Sequence, residues 1–220
     1  MKRIITLLIA AAMMTIGTNV SAQMSISAGY ANSRTTFDIA SFYKMHTNLN
    51  GVYAGLSYNI PLSAVGTGSL GIAPGLYASY LMKKDAGLAV VRGDLSESYL
   101  SVPFNFNLTF PVADGVKALA YAGPTFQCGL SSKVTVTGVT SVGETLGISG
   151  VSGDNDMYDG TISQYLGYQR CDVLLGGGIG LEFEDMIRLT IGYDAGLLNR
   201  GGSAIAIHRN QFSIGLSYLF

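Results

Sequence analysis

The sequence predicts an all-β protein, and more narrowly a transmembrane, antiparallel, up-and-down β-barrel of eight strands. Segments of about ten residues alternate apolar with small or polar side chains, which is the pattern of bilayer-crossing strands. The composition is 48% hydrophobic and only 12% charged, with 29 glycines, whereas soluble domains carry about 25% charged residues. After Met24 no apolar stretch approaches the ~20 residues that a membrane helix needs.

The N-terminus predicts a cleaved signal peptide over residues 1–22. Lys2 and Arg3 are followed by an almost wholly apolar run, Ile4–Ile16, and then by the small residues Val20-Ser21-Ala22 before Gln23. This order of basic, apolar and small residues is that of a secretory leader, and the apolar run is too short for a membrane span. We therefore expect an exported chain whose barrel domain occupies residues 23–220.

The strands are predicted from their alternation. In the clearest segment, Leu100–Phe110, apolar side chains alternate with Ser, Pro, Asn and Thr, and the same period runs through Phe212–Phe220. We expect the last strand to pair with the first and so leave the barrel without edges. The eight predicted strands lie at about 24–34, 50–60, 69–82, 97–110, 116–130, 168–183, 187–198 and 209–220.

The connections between these strands alternate in length. Short breaks are predicted at 61–68, 111–115 and 184–186, and long extracellular loops at about 35–49, 83–96, 131–167 and 199–208. Short turns on one side and long loops on the other are typical of outer-membrane barrels, and a secreted β-sandwich would not explain them. Within 131–167, Val134–Thr137 and 144–151 alternate again, which predicts a projecting hairpin; the alternative is two more membrane strands, making ten.

Five ionisable residues share the inward-facing parity. The 184–186 turn is nearly symmetric about Asp185, which places Glu182 opposite Arg188. If Cys128 faces Cys171, the same register places Lys117 opposite Glu182. Because a charge facing lipid costs ~2–4 kcal/mol near mid-membrane, we expect these groups to pair inside the lumen. We interpret the patch as a structural plug, with a gate or proton path as the alternative: Lys117, Glu182, Arg188, Asp172 and Asp194.

The two cysteines, Cys128 and Cys171, flank the longest predicted loop. Export permits a disulfide, which would clamp the base of the 131–167 loop. Two free thiols acting as small apolar side chains are the alternative. Without histidines nearby, the pair does not form a zinc set.

Catalytic and cofactor signals are weak. His46 and His208 lie in predicted loops, with Ser41 and Ser203 as conceivable partners, but no spacing specifies a triad. The Gly176–Gly180 run lacks the spacing of a nucleotide loop. The acidic stretch from Asp154 to Asp159 lacks the spacing of an EF-hand. We therefore expect no enzyme, no cofactor and no metal. The net charge of −1 also gives no support for nucleic-acid binding.

Short motifs resemble the outer-membrane β-barrel domain family that includes PorT-like proteins. They are the Tyr121-Ala122-Gly123-Pro124 strand, Asp172 leading into the glycine run 176–180, and Gly192–Leu197 with Asn199. Tyr218 and Phe220 resemble the C-terminal signal read by the barrel-assembly machinery. The resemblance implies a small outer-membrane barrel, and for PorT-like members a link to secretion across that membrane.

The sequence therefore predicts an integral outer-membrane barrel that is structural or binds a partner through its extracellular loops. Its expected partners are outer-membrane lipid, the barrel-assembly machinery and a protein bound at loop 131–167. The alternatives are a secretion-accessory barrel, a narrow porin-like channel for small solutes and, least favoured, a lipid-modifying barrel enzyme.

Overall fold

Six of the eight wall strands are longer than the sequence predicts, the two predicted at 168–183 and 187–198 are slightly shorter, and together they close into a ring. A computed structural model describes residues 23–39, 43–88, 91–145, 152–159, 167–202 and 205–220. The signal-peptide prediction lies outside these ranges. The elements in order are β1 (Gln23–Ile39), β2 (Tyr43–Val65), β3 (Gly68–Leu88), β4 (Val91–Ala113), β5 (Val116–Val139), α1 (Ser141–Thr145), β6 (Gly153–Asp156), β7 (Cys171–Phe183), β8 (Ile187–Gly196) and β9 (Ile205–Leu219).

Strand pairing confirms the predicted up-and-down barrel. Each strand of the ring pairs antiparallel with its neighbour, β5 passes directly to β7, and β1 pairs with β9 to complete the circle. The short strand β6 pairs with β5 only, so eight of the nine described strands form the wall. Closure satisfies the backbone hydrogen bonds of both terminal strands, as a bilayer requires.

A belt of apolar side chains covers the outside of the barrel between the turns and the middle of the longer strands. Ile179 is 67% exposed, and the other members are also largely exposed. A surface of this kind fits the hydrocarbon interior of a bilayer, so the chain is a transmembrane barrel. Members from different strands include Ile26, Leu56, Leu76, Phe106, Ile179, Ile191 and Leu216.

Within the described residues, no helix has both the length and the apolar character needed to cross a membrane.

Two of the predicted loops are strands in the structure. Residues 35–39 and 43–49 belong to β1 and β2, and 83–88 and 91–96 to β3 and β4, while 40–42 and 89–90 lie outside the described residues. Residues 205–208 of the predicted 199–208 loop likewise belong to β9. The prediction ended each strand within a few residues of its last outward apolar side chain, whereas the strands continue with the opposite polarity.

These strand ends continue the barrel wall beyond the apolar belt. We call this part of the barrel the upper extension: residues 31–39, 43–50, 81–88, 91–99, 131–139 and 205–210. Here the polarity of the wall is inverted. In β1, Ser25 and Ser27 face the lumen beside the apolar belt, whereas higher up Ala31 and Phe37 face inward and Arg34 faces outward. Apolar-in and polar-out is the arrangement of a water-soluble sheet, so the upper extension is suited to an aqueous surrounding.

The predicted 131–167 hairpin forms in part. Its first arm, Val134–Thr137, is the upper end of β5, and the partner arm is β6 rather than 144–151. Residues 141–145 form α1, and 146–151 lie outside the described residues. The wall gains no further membrane strand from this segment, so the barrel has eight strands and not ten.

Candidate functional site

The lower end of the lumen holds the first three predicted ionic residues together. The register pairs Lys117 with Glu182 and Glu182 with Arg188 across β5, β7 and β8. Arg188 donates to one Glu182 oxygen through Nε at 2.9 Å and Nη2 at 2.6 Å, and both side chains are buried. Lys117 Nζ lies 4.0 Å from Glu182 and donates to Asp185 in the turn below.

The other two predicted members lie apart from this cluster. Asp172 sits near the top of β7, is 3% exposed, and accepts the backbone N–H groups of Val173 and Leu198 at 2.8 and 3.3 Å. Asp194 lies on β8 between the two levels, beside Gly176 of β7 and Gln211 of β9. The five residues therefore occupy three levels of the lumen, with Asp194 and Asp172 above the other three, as the register predicts.

Cys128 and Cys171 form a disulfide between β5 and β7. The bond lies at the level where β7 begins, which is also where the apolar belt gives way to the upper extension. It joins the two ends of the segment that contains α1 and β6, as the sequence predicts for a clamp at its base.

Apolar side chains fill the inside of the upper extension, and we call this cluster the upper core. Phe37, Leu49 and Leu81 are at most 1% exposed and come from β1, β2 and β3. Among the described residues, these side chains pack as closely as a protein core and exclude water from the space that they fill. The cluster comprises Ala31, Phe37, Leu49, Leu81, Ala86, Leu88, Val91, Leu95, Tyr99, Val134, Val136, Met157, Tyr158, Tyr168, Ile205 and Ile207.

Loop segments replace β7 and β8 in the wall of the upper extension. Arg200 N donates to Ile207 O of β9 at 2.8 Å, and Gln169 N donates to Arg200 O at 2.8 Å. Gly129 N of β5 in turn donates to Arg170 O at 2.7 Å. The backbone therefore bridges β9 to β5 above the disulfide, and the upper core is enclosed on this side as well.

A buried charged cluster, which the sequence analysis missed, lies under this bridge. Glu97, Arg200 and Arg209 are each at most 1% exposed. Glu97 accepts from the hydroxyls of Tyr99, Ser132 and Tyr168, the last two at 3.0 and 2.9 Å, and Arg209 Nη1 lies 3.9 Å away. Burial raises the pKa of the Tyr168 hydroxyl, which keeps it protonated as a donor to the carboxylate.

Arg200 connects this cluster to the loop bridge. Its Nε and Nη2 donate to Gln169 O at 3.1 and 2.8 Å, and its guanidinium carbon lies 4.5 Å from the centre of the Tyr168 ring. Such cation–π contacts are favourable where the cation is desolvated. One buried arginine thus satisfies a loop carbonyl and stacks in the upper core. Glu97 is about a hundred positions from Arg200 and Arg209 in the sequence, so no local spacing of residues could predict the cluster.

Between the two ends lies a polar cavity of about 140 Å³. Its walls carry hydroxyl, amide and aromatic groups, with Arg188 at its lower end and Gln127 near the top. The upper core lies above it. Groups that line it include Tyr53, Tyr77, Tyr121, Thr190, Asp194, Gln211 and Ser213.

The outward face of the upper extension is polar across three strands. Arg34 of β1 pairs with Asn48 of β2 and Asn210 of β9, and Thr36 pairs with His46 and His208. We call this surface the polar face: Arg34, Thr36, His46, Asn48, His208 and Asn210. Both histidines are exposed on it.

The polar face does not assemble a serine triad from the described residues. His46 Nδ1 lies 3.0 Å from Thr36 Oγ1, and Ser41 and Ser203 lie outside the described ranges. In the same ranges, no group of three or more His, Cys, Asp or Glu side chains is placed to hold a metal ion. The acidic residues near β6 are engaged in structure: Asp154 accepts from Thr135 at 2.7 Å and Asp159 pairs with Arg170 at 2.8 Å.

The last residues complete the ring. Met24 N and Phe220 N each donate to the other residue's carbonyl, at 3.1 and 2.9 Å. The Tyr218 and Phe220 rings stack with their centres 6.3 Å apart on the outside of the barrel. Aromatic side chains at this height are those of an interfacial girdle.

No protein-family profile matches the sequence, and no curated protein sequence matches it. Solved structures of outer-membrane proteins are similar to it. Ail, the attachment invasion locus protein of Yersinia pestis, is 17% identical, with 90% of this chain and 99% of that one covered and a TM-score of 0.43. Neisserial surface protein A is 11% identical over 89% and 96%, with a TM-score of 0.44. The outer membrane enzyme PagL is 14% identical over 86% and 98%, with a TM-score of 0.49.

These similarities are at the level of barrel architecture. The expectation that this chain has no catalytic activity stays a prediction. Strand pairing and the apolar belt make the chain a small eight-stranded transmembrane barrel with a buried upper core.

Proposed function

We propose that this protein is a non-conducting outer-membrane barrel that acts by binding a partner through its upper extension. The observation that carries the proposal is the inversion of polarity along each long strand, for example between Ser27 and Phe37 of β1. A barrel that served only to span the membrane would not need an upper extension with a polar outer face. A channel would need an open path where the upper core lies.

Three layers oppose conduction. The Glu182–Arg188 pair stands at the lower end, the buried Glu97–Arg209 cluster stands at the upper end, and the upper core fills the space above. An eight-stranded barrel has an interior just wide enough for side chains, so packed groups of this kind leave little room for a solute path. The porin-like alternative is therefore disfavoured.

The polar face offers the best-ordered candidate surface for a partner. Its side chains are anchored on β1, β2 and β9 rather than on loops, so a partner would bind without a large ordering cost. Asn48 and Asn210 flank Arg34, which places amide donors and acceptors on either side of a guanidinium. Such a surface suits a polar or anionic ligand, whether a protein or a glycan.

The finer expectations from the sequence belong to the same proposal. We infer export by a signal peptide over 1–22, insertion by the barrel-assembly machinery through Tyr218 and Phe220, and an upper extension that faces out of the cell. The resemblance to PorT-like proteins supports a narrower role as an accessory of secretion, with the 131–167 segment as its contact.

Conductance tests the closed lumen. Purified barrel inserted into planar bilayers should give no steady current, since the upper core excludes water. A sustained, sizeable conductance from the folded wild-type chain would overturn this part of the proposal.

Site-specific crosslinking in intact cells tests the binding surface. A photo-crosslinking residue at Asn48 should yield a discrete product that Arg34→Ala abolishes. The same residue at Leu56 lies on the same strand and face but within the apolar belt, so it should capture lipid only. Equal products at the two positions, or none at Asn48 and none at Thr137 in the 131–167 segment, would contradict the proposal.

A further inference from the structure

The lumen cavity contains one carboxylate without a partner. Asp194 lines the cavity on β8, and within the described residues it makes no hydrogen bond or ion pair. Arg188 also lines the cavity and is already paired with Glu182. A carboxylate removed from bulk water without a compensating charge is costly. The cavity therefore lacks one positive charge.

Two tyrosines lie over the neighbouring strands of the wall, Tyr121 of β5 over β7 and β8, and Tyr53 of β2 over β1 and β9. The Tyr121 ring lies against Gly178 and Gly192, and the Tyr53 ring lies against Gly29 and Gly215. Only glycine leaves room for these rings, because a Cβ at Gly192 would overlap the Tyr121 hydroxyl. The rings are held in place by this packing, and the Tyr53 and Tyr77 rings also make an edge contact with centres 5.9 Å apart.

Hydroxyl oxygens gather on the β8–β9 wall below Asp194. The Tyr121 and Ser213 hydroxyls both lie beside Gly192, and the Tyr53 and Thr190 hydroxyls both lie beside Gly215. Gly192 is two residues from Asp194 on the same face of β8, a spacing of about 6.6 Å. The carboxylate, these oxygens and the aromatic rings thus line one space of about 140 Å³, which has room for several waters or one small molecule.

We propose that this cavity is a binding site for a small protonated primary amine, with Asp194 as its counter-ion. An alkylammonium group has three N–H donors and one positive charge, which match one carboxylate and the adjacent hydroxyl acceptors. The tyrosine rings supply faces for the cation and its alkyl group. A hard metal ion would instead need about six oxygen ligands.

Methylammonium is the probe for this site. The mature barrel in detergent micelles should bind it saturably, as measured by calorimetry and by NMR of ¹³C-labelled methylammonium. Asp194→Asn should weaken binding at least about tenfold, because the charge is lost while the shape is kept. Tetramethylammonium, which has no N–H donor, should bind at least about tenfold more weakly than methylammonium.

Matched variants separate the site from general effects of charge. Asp185→Asn, in the turn below the lumen, and Asp154→Asn, on β6, should leave methylammonium affinity unchanged. Tyr121→Phe keeps the ring and removes one acceptor, so it should weaken binding several-fold and provides a second test if Asp194→Asn fails to fold. Circular dichroism monitors folding of each variant.

Two results would overturn the inference. One is the absence of saturable methylammonium binding to folded wild-type barrel, which would mean that water and a proton alone occupy the cavity. The other is equal affinity in the wild type, Asp194→Asn and Tyr121→Phe. Because the site lies inside the lumen, either result leaves the proposed role of the upper extension unaffected.

Discussion

The guanidinium carbon of Arg209 lies 3.7 Å from the centre of the Tyr99 ring, and both side chains are fully buried in the upper extension. The same arginine is the nearest cation to Glu97, while its Nε and Nη1 have no hydrogen-bond partner among the described residues. The arginine is therefore held by charge and by ring stacking more than by hydrogen bonds. Its position explains why the charged cluster and the upper core form one unit.

Removing only one member of the Glu97–Arg209 pair should strongly destabilise the folded barrel. Glu97→Ala leaves Arg209 buried without a counter-charge, and we expect a loss of about 3–5 kcal/mol in unfolding free energy. The double variant Glu97→Leu/Arg209→Met should recover most of the loss, because an apolar pair can replace a buried ion pair. Denaturant unfolding followed by tyrosine fluorescence measures both.

The control for this prediction lies on the same strand. Asp94→Ala removes an exposed carboxylate and should change the unfolding free energy by no more than about 0.5 kcal/mol. If Glu97→Ala were as mild as Asp94→Ala, the charged cluster would not stabilise the upper extension.

The sequence could predict the strand register and which side chains face the lumen. The symmetric turn around Asp185 is sufficient to pair Glu182 with Arg188, and the cysteine pairing then places Lys117 beside Glu182. These inferences succeed because the side-chain period of a strand is two, so one known pair determines every other pair along two strands.

The upper extension was missed because its pattern is the reverse of the belt. The prediction ended the first strand at about residue 34, soon after the last outward apolar side chain, Tyr30, although the inward apolar series continues to Phe37. Tracking which parity is apolar along β4, where Leu95 and Val91 face inward, would have extended the strands. The Glu97, Arg200 and Arg209 cluster had no comparable signal, since it forms only once the loop bridge is folded.

The disulfide should stabilise the barrel against unfolding. Cys128 and Cys171 are 43 residues apart, and closing a loop of that size typically contributes about 2–4 kcal/mol. Cys128→Ala/Cys171→Ala should therefore unfold at lower denaturant concentration than the wild type, and added reductant should lower the wild type to the same point. Reductant should have no effect on the double variant. Labelling of two free thiols in the native, unreduced protein would contradict the bond.

Gly215 on β9 should be needed because it leaves room for the Tyr53 hydroxyl. A Cβ at Gly215 would overlap the Tyr53 hydroxyl, so Gly215→Ala should destabilise the barrel by about 1–3 kcal/mol through overpacking. Adding Tyr53→Phe removes the overlapping oxygen and should restore much of the stability. Gly29→Ala serves as the comparison, because there the Cβ would meet the backbone oxygen of Ile214 and Tyr53→Phe should not rescue it.

The turn that contains Asp185 should make a small contribution to the unfolding free energy, and this contribution should depend on acid pH. The hydrogen bond from Lys117 lowers the pKa of the Asp185 carboxyl below its usual value of 3.8. A carboxyl with a lowered folded-state pKa stabilises the folded chain fully above its unfolded pKa, and this contribution is lost as the pH falls through the folded value. Lys117→Met should therefore reduce the acid dependence of the unfolding midpoint below about pH 4. The effect should be small because both side chains are partly exposed, and an unchanged acid profile in Lys117→Met would contradict the pairing.

The boundary between the apolar belt and the upper extension can be tested on a single strand. Leu216 and His208 lie eight residues apart on the outward face of β9, and both are exposed. Leu216→Arg places a charge in the hydrocarbon layer and should cost ~2–4 kcal/mol near the midplane. His208→Arg places the same charge where we locate water and should change the unfolding free energy by less than about 0.5 kcal/mol. Unfolding in phospholipid vesicles measures both, and equal penalties at the two positions would mean that lipid also covers the upper extension.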